Sequence, residues 1–319
     1  VSHLPPQPVV VIAGPTGSGK STLALQLASA FGGEIVNCDS LQIYRGLDIG
    51  TAKPSSTERA EVPHHLFDIL EPEEVFNAGD YAALARPLLR QIVTSGRMPL
   101  VVGGTGFYLR ALLDGLAPSP KRDDALRQRL QAREDRRPNF LHRLLTRLDP
   151  VAAARIHAND RNKLIRALEI CILSRRPATH VFEQGRQPLE GLHVIRIGLQ
   201  PDRALLHQRI AERTARMFAT GLAGEVRGLL GRGVSPNAKA FESIGYKECL
   251  RLLAGEIDEP AAIELTCIAT RQYAKRQLTW FRRESGFWWI ADFGDSPQSF
   301  QAARLHILEN TGKFTQESN

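Results

Sequence analysis

Residues 9–13, VVVIA, form an unbroken apolar run, the pattern of a strand buried on both faces in a parallel sheet. From Lys20 to Phe31 the apolar positions Leu23, Leu27 and Ala30 recur at helical spacing, and Gly32–Gly33 ends the run. EIVNCDS (34–40) predicts a second strand with Asp39 at its carboxyl end. Residues 80–97 predict a helix with Asp80 as N-cap and a possible kink at Pro87. MPLVVGG (98–104) predicts a third buried strand, and TGFYLRALLDG a helix after it. Strands and helices alternating at these lengths predict an α/β core, a parallel sheet flanked by helices.

A proline-rich junction, APSPKR (117–122), interrupts this alternation. From there to about 176 the pattern is helical without a strand signature. GLHVIRIGLQ (191–200) returns to a strand, expected to rejoin the first sheet, and helices follow at 201–231, 242–254 and 259–285. The expected organisation is a core begun by residues 1–119, an inserted all-helical domain at 120–190, and completion of the core by 191–319. The last residues, TGKFTQESN, predict a frayed tail.

With 43% hydrophobic residues the chain can bury a core. No apolar run approaches the roughly 18–20 residues of a membrane span, and the opening VSHLPPQP lacks the build of a secretory signal. A cytoplasmic protein without membrane contact is expected. The scattered cysteines, Cys38, Cys171, Cys249 and Cys267, predict buried free thiols, and the pair His64–His65 a structural role. Net charge is +7, but residues 121–176 alone carry 15 basic against 7 acidic side chains. Such an arginine-rich block fits a surface that meets phosphate backbone, or a solvated helical face.

Gly14-Pro15-Thr16-Gly17-Ser18-Gly19-Lys20-Ser21 fills every position of G-x-x-x-x-G-K-[ST]. The glycines let backbone amides turn inward, the following helix adds its positive end, Lys20 brings a mobile cation, and Ser21 offers a hydroxyl to Mg²⁺. The motif does not name the phosphate compound. Nucleotide-hydrolysing enzymes add an apolar strand that ends in a metal-holding Asp. Here strand 98–102 runs into Gly103-Gly104-Thr105-Gly106, and the acid stands instead at Asp39. That carboxylate is placed to act on an acceptor group, or to cap a turn.

Six blocks in register, GPTGSGKS (14–21), DSLQIYRGLDIGTAKP (39–54), VVGGTGFYLRAL (101–112), NDRNKLIRALEI (159–170), AFESIGYKE (240–248) and TRQYAKRQLTWFR (270–282), resemble the tRNA dimethylallyltransferase (isopentenyltransferase) family in its bacterial form. The resemblance implies transfer of a dimethylallyl group from dimethylallyl diphosphate to N6 of the adenine beside the anticodon, in tRNAs reading codons that begin with U. It implies a P-loop fold related to small-molecule kinases, an inserted helical domain that grips the anticodon stem-loop, and Mg²⁺ without an organic cofactor. A monomer is expected.

Carried over residue by residue, the resemblance implies that Gly14 to Ser21 and Arg213 hold the donor diphosphate. It makes Asp39 the general base and Thr105 an active-site threonine, with Mg²⁺ at Ser21 and at Asp39 through water. It implies tRNA contacts from Asp39, Ser40, Leu41 and Gln42, from Thr105 and Arg127, and from Lys163, Leu164, Ile165, Arg166 and Ala167. Two further segments, Glu242, Ser243, Ile244, Gly245, Tyr246 and Lys247, and Gln272 to Trp280 with Lys275 and Arg276, resemble tRNA-facing stretches. Lys163 and Glu242 depart from the common pattern, Lys163 losing a bidentate fork and Glu242 putting an acid where Gln is usual. A small-molecule or nucleoside kinase, or a non-catalytic RNA-binding module, is the alternative expectation. Either explains the phosphate loop or the basic block, but not both with Asp39.

Overall fold

The computed structural model describes residues 7–183 and 185–312. The expected tail therefore lies, from Lys313 onward, outside the described residues.

The first unit comprises residues 1–112 and 190–319. Six parallel strands, β1 (Gln7–Ala13), β2 (Glu34–Asn37), β3 (His64–His65), β4 (Pro99–Gly103), β5 (Leu192–Leu199) and β6 (Phe287–Ile290), form one sheet in the order β3-β2-β4-β1-β5-β6. The apolar run of β1 is central: Val9 to Ala13 are buried, and the strand pairs with β4 on one side and β5 on the other. Helices cross over the sheet, as parallel connections require. They are α1 (Lys20–Phe31), α2 (Ser56–Glu61), α3 (Ala78–Thr94) and α4 (Gly106–Leu113) before the insertion.

The second unit, residues 113–189, holds α5 (Asp124–Arg136), α6 (Phe140–Leu148), α7 (Pro150–Arg155), α8 (Arg161–Ser174) and α9 (Ala178–Glu183). Leu126, Leu130, Leu141, Leu145, Leu164 and Leu168 converge in a core of its own. The chain then re-enters the first unit with α10 (Arg203–Ala219), α11 (Leu222–Gly231), α12 (Tyr246–Leu253), α13 (Glu259–Phe281) and α14 (Pro297–Thr311).

Several local expectations need correction. Asn77, not Asp80, caps α3: its side chain accepts from Gly79 N–H and Asp80 N–H, while Asp80 reaches back to Asn77 N–H as the third residue of a capping box. The stretch 201–231 is two helices, because Gly221 at φ 102° breaks it. The strand β6 and the helix α14 follow where no element was expected. All four cysteines are free and buried, as their scatter predicted.

Candidate active site

The site gathers at the carboxyl edge of β1, β2 and β4, where α/β sheets leave a crevice. Directly after β1 the phosphate loop turns through Gly14, Gly17 and Gly19. Gly17 and Gly19 take φ 81° and 84°, values open to glycine. A Cβ on Gly19 would also meet the Asp295 carboxylate at 2.7 Å and Gly294 N at 2.9 Å, because residues 294–295 lie against the loop. Gly294 N–H donates to Ser18 O at 2.8 Å. Arg209 fastens this strap by pairing with Asp295, one bond at 2.8 Å.

Inside the loop, Lys20 Nζ donates to Pro15 O at 2.7 Å and Arg213 Nη1 to Thr16 Oγ1 at 3.2 Å. Burial pulls the Lys20 ammonium down to about 8; the Asp39 charge opposes this and Arg213 adds to it. Burial likewise lowers Arg213, again against Asp39. The carboxylate therefore faces both loop cations. Ser21 is exposed at the start of α1 and lines the same cavity of about 250 Å³.

Asp39 lies two residues beyond β2, on a turn fixed from beneath. Buried Asn37 accepts from Asp39 N–H at 2.9 Å and donates to Asp39 O at 3.1 Å. Asp39 Oδ1 accepts from Leu41 N–H at 2.9 Å. One carboxylate oxygen thus caps the turn, while the side chain also lines the cavity. Thr105 secures the same turn: its Oγ1 accepts from Ser40 N–H at 3.0 Å and donates to Ser40 Oγ at 3.3 Å.

The Gly103-Gly104-Thr105-Gly106 stretch is a packing solution. A Cβ at Gly103 would run into the Cys38 backbone, one at Gly104 into the Gln277 carboxamide, and one at Gly106 into the Trp280 indole. Tyr273, Gln277 and Trp280 fall at i, i+4 and i+7 of α13, so one helix face meets this loop residue by residue. Burial and the Asp39 charge push the Tyr273 hydroxyl up, against the opposing pull of Thr105 and Gln277. It stays protonated at neutral pH.

A second cavity of about 430 Å³ opens beyond Asp39. Tyr44, Phe76, Tyr108, Met217 and Leu222 give it apolar walls, and Glu242, Ser243, Ile244 and Gly245 contribute one side. Thr16, Asp39, Thr51 and Arg213 line both cavities.

The structure thus brings the phosphate loop, Arg213, Asp39 to Leu41, Thr105 and residues 242–245 to one place. It corrects other expected contacts. Tyr246 is fully buried, with its hydroxyl donating to Glu225 and its ring against Gly50. Leu164, Ile165 and Ala167 face the second unit's core. None of these four side chains offers a surface to RNA. Gln42 spends its amide on Thr51 O and Ala52 O at 3.1 and 3.2 Å. Arg127 and Arg166 are both held by buried Glu169. Lys163, Lys247, Gln272, Lys275 and Arg276 are exposed, although Lys163 pairs with Asp160. Trp280 is half-buried under the Arg110 guanidinium, 4.3 Å above its ring.

Sequence reasoning placed Gln277 only within the tRNA-facing stretch Gln272 to Trp280, not as a link between two loops, and missed Asn37 and the 294–295 strap. The spacing of Tyr273, Gln277 and Trp280 on one helical face carried the signal for the first; nothing local pointed to the others.

Among the described residues no helix is long and apolar enough to cross a membrane. Residues 42–284 match the family model described as IPP transferase, and residues 7–66 one described as isopentenyl transferase. The tRNA dimethylallyltransferase of Solibacter usitatus is 52% identical over 306 residues, covering 96% of this chain and 100% of the relative. That of Geobacter sulfurreducens is 48% identical, covering 88% and 91%. The crystal structure of a full-length tRNA isopentenylpyrophosphate transferase from Bacillus halodurans superposes with TM-score 0.71 at 36% identity over 98% of each chain. A eukaryotic dimethylallyltransferase, solved acting on tRNA, matches with TM-score 0.80 at 27% identity over 97% of this chain and 80% of that one. Likeness of this extent, over a phosphate loop and a carboxylate in the same crevice, makes the chain a member of the IPP transferase family.

Proposed function

We propose that this enzyme transfers the dimethylallyl group of dimethylallyl diphosphate to N6 of the adenine 3′-adjacent to the anticodon, in tRNAs reading codons that begin with U. Diphosphate is the second product. The observation that carries this reading is Asp39, a carboxylate at the junction of a cationic phosphate cavity and an apolar-walled one. Family membership gives the reaction class, and the relatives' names give tRNA as the acceptor.

The adenine amine is a weak nucleophile, because its lone pair is delocalised into the ring. Its nitrogen attacks the donor's first carbon as that carbon's bond to the diphosphate oxygen breaks. Asp39 takes the proton the nitrogen must lose. Loop amides, Lys20 and Arg213 stabilise the charge that develops on the leaving diphosphate. To reach this crevice the base must leave the anticodon-loop stack, and apolar and aromatic walls suit it.

Ser21 and Asp39 offer oxygen donors only, which fits a hard cation such as Mg²⁺. Among the described residues no cluster of three or more His, Cys, Asp or Glu could hold a metal alone. Ser21 directly, and Asp39 through water, would hold Mg²⁺ together with the donor's own oxygens. When bound, Mg²⁺ supplies charge neutralisation at the diphosphate. The enzyme is expected to act as a monomer in the cytoplasm, since one tRNA and one donor need one chain.

The test is incubation with labelled dimethylallyl diphosphate and unmodified tRNA, followed by nucleoside analysis. Label in N6-dimethylallyladenosine supports the reading. Turnover of ATP onto a small hydroxyl acceptor, without labelled nucleoside, would make the protein a kinase instead.

A further inference from the structure

Gln277 sits in the last third of α13, a polar side chain only 5% exposed. Its carboxamide makes two hydrogen bonds to two different loops. Thr16 N–H donates to Oε1 at 2.8 Å, and Nε2 donates to Gly104 O at 3.0 Å. A backbone N–H demands an oxygen and a backbone carbonyl demands an N–H, so the orientation of this amide is fixed by its partners. Gly104 lacks a Cβ where one would occupy the carboxamide's place. Thr16 belongs to the phosphate loop. Gly104 is the neighbour of Thr105, whose hydroxyl fixes Ser40 beside Asp39. The connection therefore runs from the phosphate loop, through one side chain, to the turn that carries the base.

We propose that Gln277 is a positioning residue that sets the spacing between the donor's diphosphate cradle and the Asp39 turn. It holds the Thr16 end and the Gly104 end at the two ends of one planar amide. No isosteric apolar residue offers both an acceptor and a donor, so its loss leaves a buried N–H and a buried C=O unpaired. Both loops are then free to settle independently.

The role rests on the transferase reading above, and the experiment separates the two. Wild-type protein, Gln277→Leu and Gln277→Glu are compared for folding by thermal melt, for affinity toward inorganic diphosphate with Mg²⁺, and for single-turnover transfer at saturating donor and tRNA. Failure of the wild type to bind diphosphate would remove the transferase reading itself. With the wild type binding, Gln277→Leu is expected to lose about tenfold in diphosphate affinity and a larger factor in single-turnover rate. Gln277→Glu adds a diagnostic. A protonated glutamic acid restores one acceptor and one donor in the same plane; a carboxylate has no donor for Gly104 O. Its deficit relative to wild type should shrink as pH falls and widen as pH rises. A folded Gln277→Leu with wild-type affinity and rate overturns the proposal. If Gln277→Leu does not fold, a Gln277→Glu deficit that is absent, or constant across pH, overturns it equally.

Discussion

Arg127 lies flat against Glu169, its Nε and Nη2 donating to the two carboxylate oxygens at 2.8 and 2.9 Å, and the carboxylate is wholly shielded from solvent. Arg166 closes on the same carboxylate, and Asp123 N–H donates to it at 2.8 Å. Arg166 also donates to Ser119 Oγ and Pro120 O, at 2.9 and 3.0 Å. Two arginines of the basic block are therefore structural anchors at the start of the helical unit.

Breaking this cluster should cost folding before it costs RNA binding. Glu169→Ala leaves two guanidinium groups facing an emptied site, a change that typically costs about 3–5 kcal/mol. Urea unfolding should show the loss. Burial pushes the Glu169 carboxyl up, but Arg127, Asp123 N–H and Arg166 outweigh it and hold the group down to about 2. With the folded value depressed, its stabilisation is complete above the unfolded carboxylate range near ~4.3. It is lost as pH falls from there toward 2. An unfolding free energy flat over that acid window would contradict the assignment.

Asp39→Asn keeps an oxygen for Leu41 N–H but removes the base. Single-turnover prenyl transfer at saturating donor and Mg²⁺ should fall by roughly 10²–10⁴-fold. Transfer near the wild-type rate would remove Asp39 as the proton acceptor.

Lys20, drawn down by burial to about 8, attracts diphosphate only as the ammonium. Affinity for inorganic diphosphate should be level below that pH and fall by up to about tenfold per unit above it. Calorimetry in buffers of different ionisation enthalpy should detect proton uptake on binding above pH 8. Lys20→Met should abolish that uptake; uptake that persisted would point to another group.

Tyr246→Phe should cost about 1 kcal/mol of stability, because Glu225 keeps Asp48 N–H and Ile49 N–H as donors, at 3.0 and 2.8 Å. Its tRNA affinity should match wild type in filter binding. A clear loss of affinity at unchanged stability would return Tyr246 to the RNA surface.

Gly106→Ala forces a methyl into the Trp280 indole. Overpacking of this kind costs about 1–3 kcal/mol. The expected outcome is a lower melting temperature together with slowed transfer, since the same loop carries Thr105. Wild-type values for both would show that α13 yields to the methyl.

The parts of this site that one short segment builds were legible in the chain. The phosphate loop depends on local spacing, and the strand-helix alternation on local periodicity, so both could be read. Arg127, Arg166 and Tyr246 could not be placed, because a basic or aromatic residue looks alike whether it faces solvent or a buried carboxylate. Glu169 decides the first two, 42 positions from Arg127 but one helical turn from Arg166, and Glu225 decides the third from 21 positions away. β6 escaped because five apolar residues between Gly286 and Asp292 carry no distinctive period. Gln277 was hidden among residues of similar polarity, and its partners lie 261 and 173 positions away.

The strap of Gly294 and Asp295 against the phosphate loop has a consequence for the order in which the molecule is made. β1 is made long before its neighbour β5, which begins only at Leu192, and the strap comes a little over a hundred residues after that. Closing loops of that length delays the central pairing. The cradle's brace is therefore added long after the cradle itself, and a nascent chain stopped before residue 294 carries the entire phosphate motif without it.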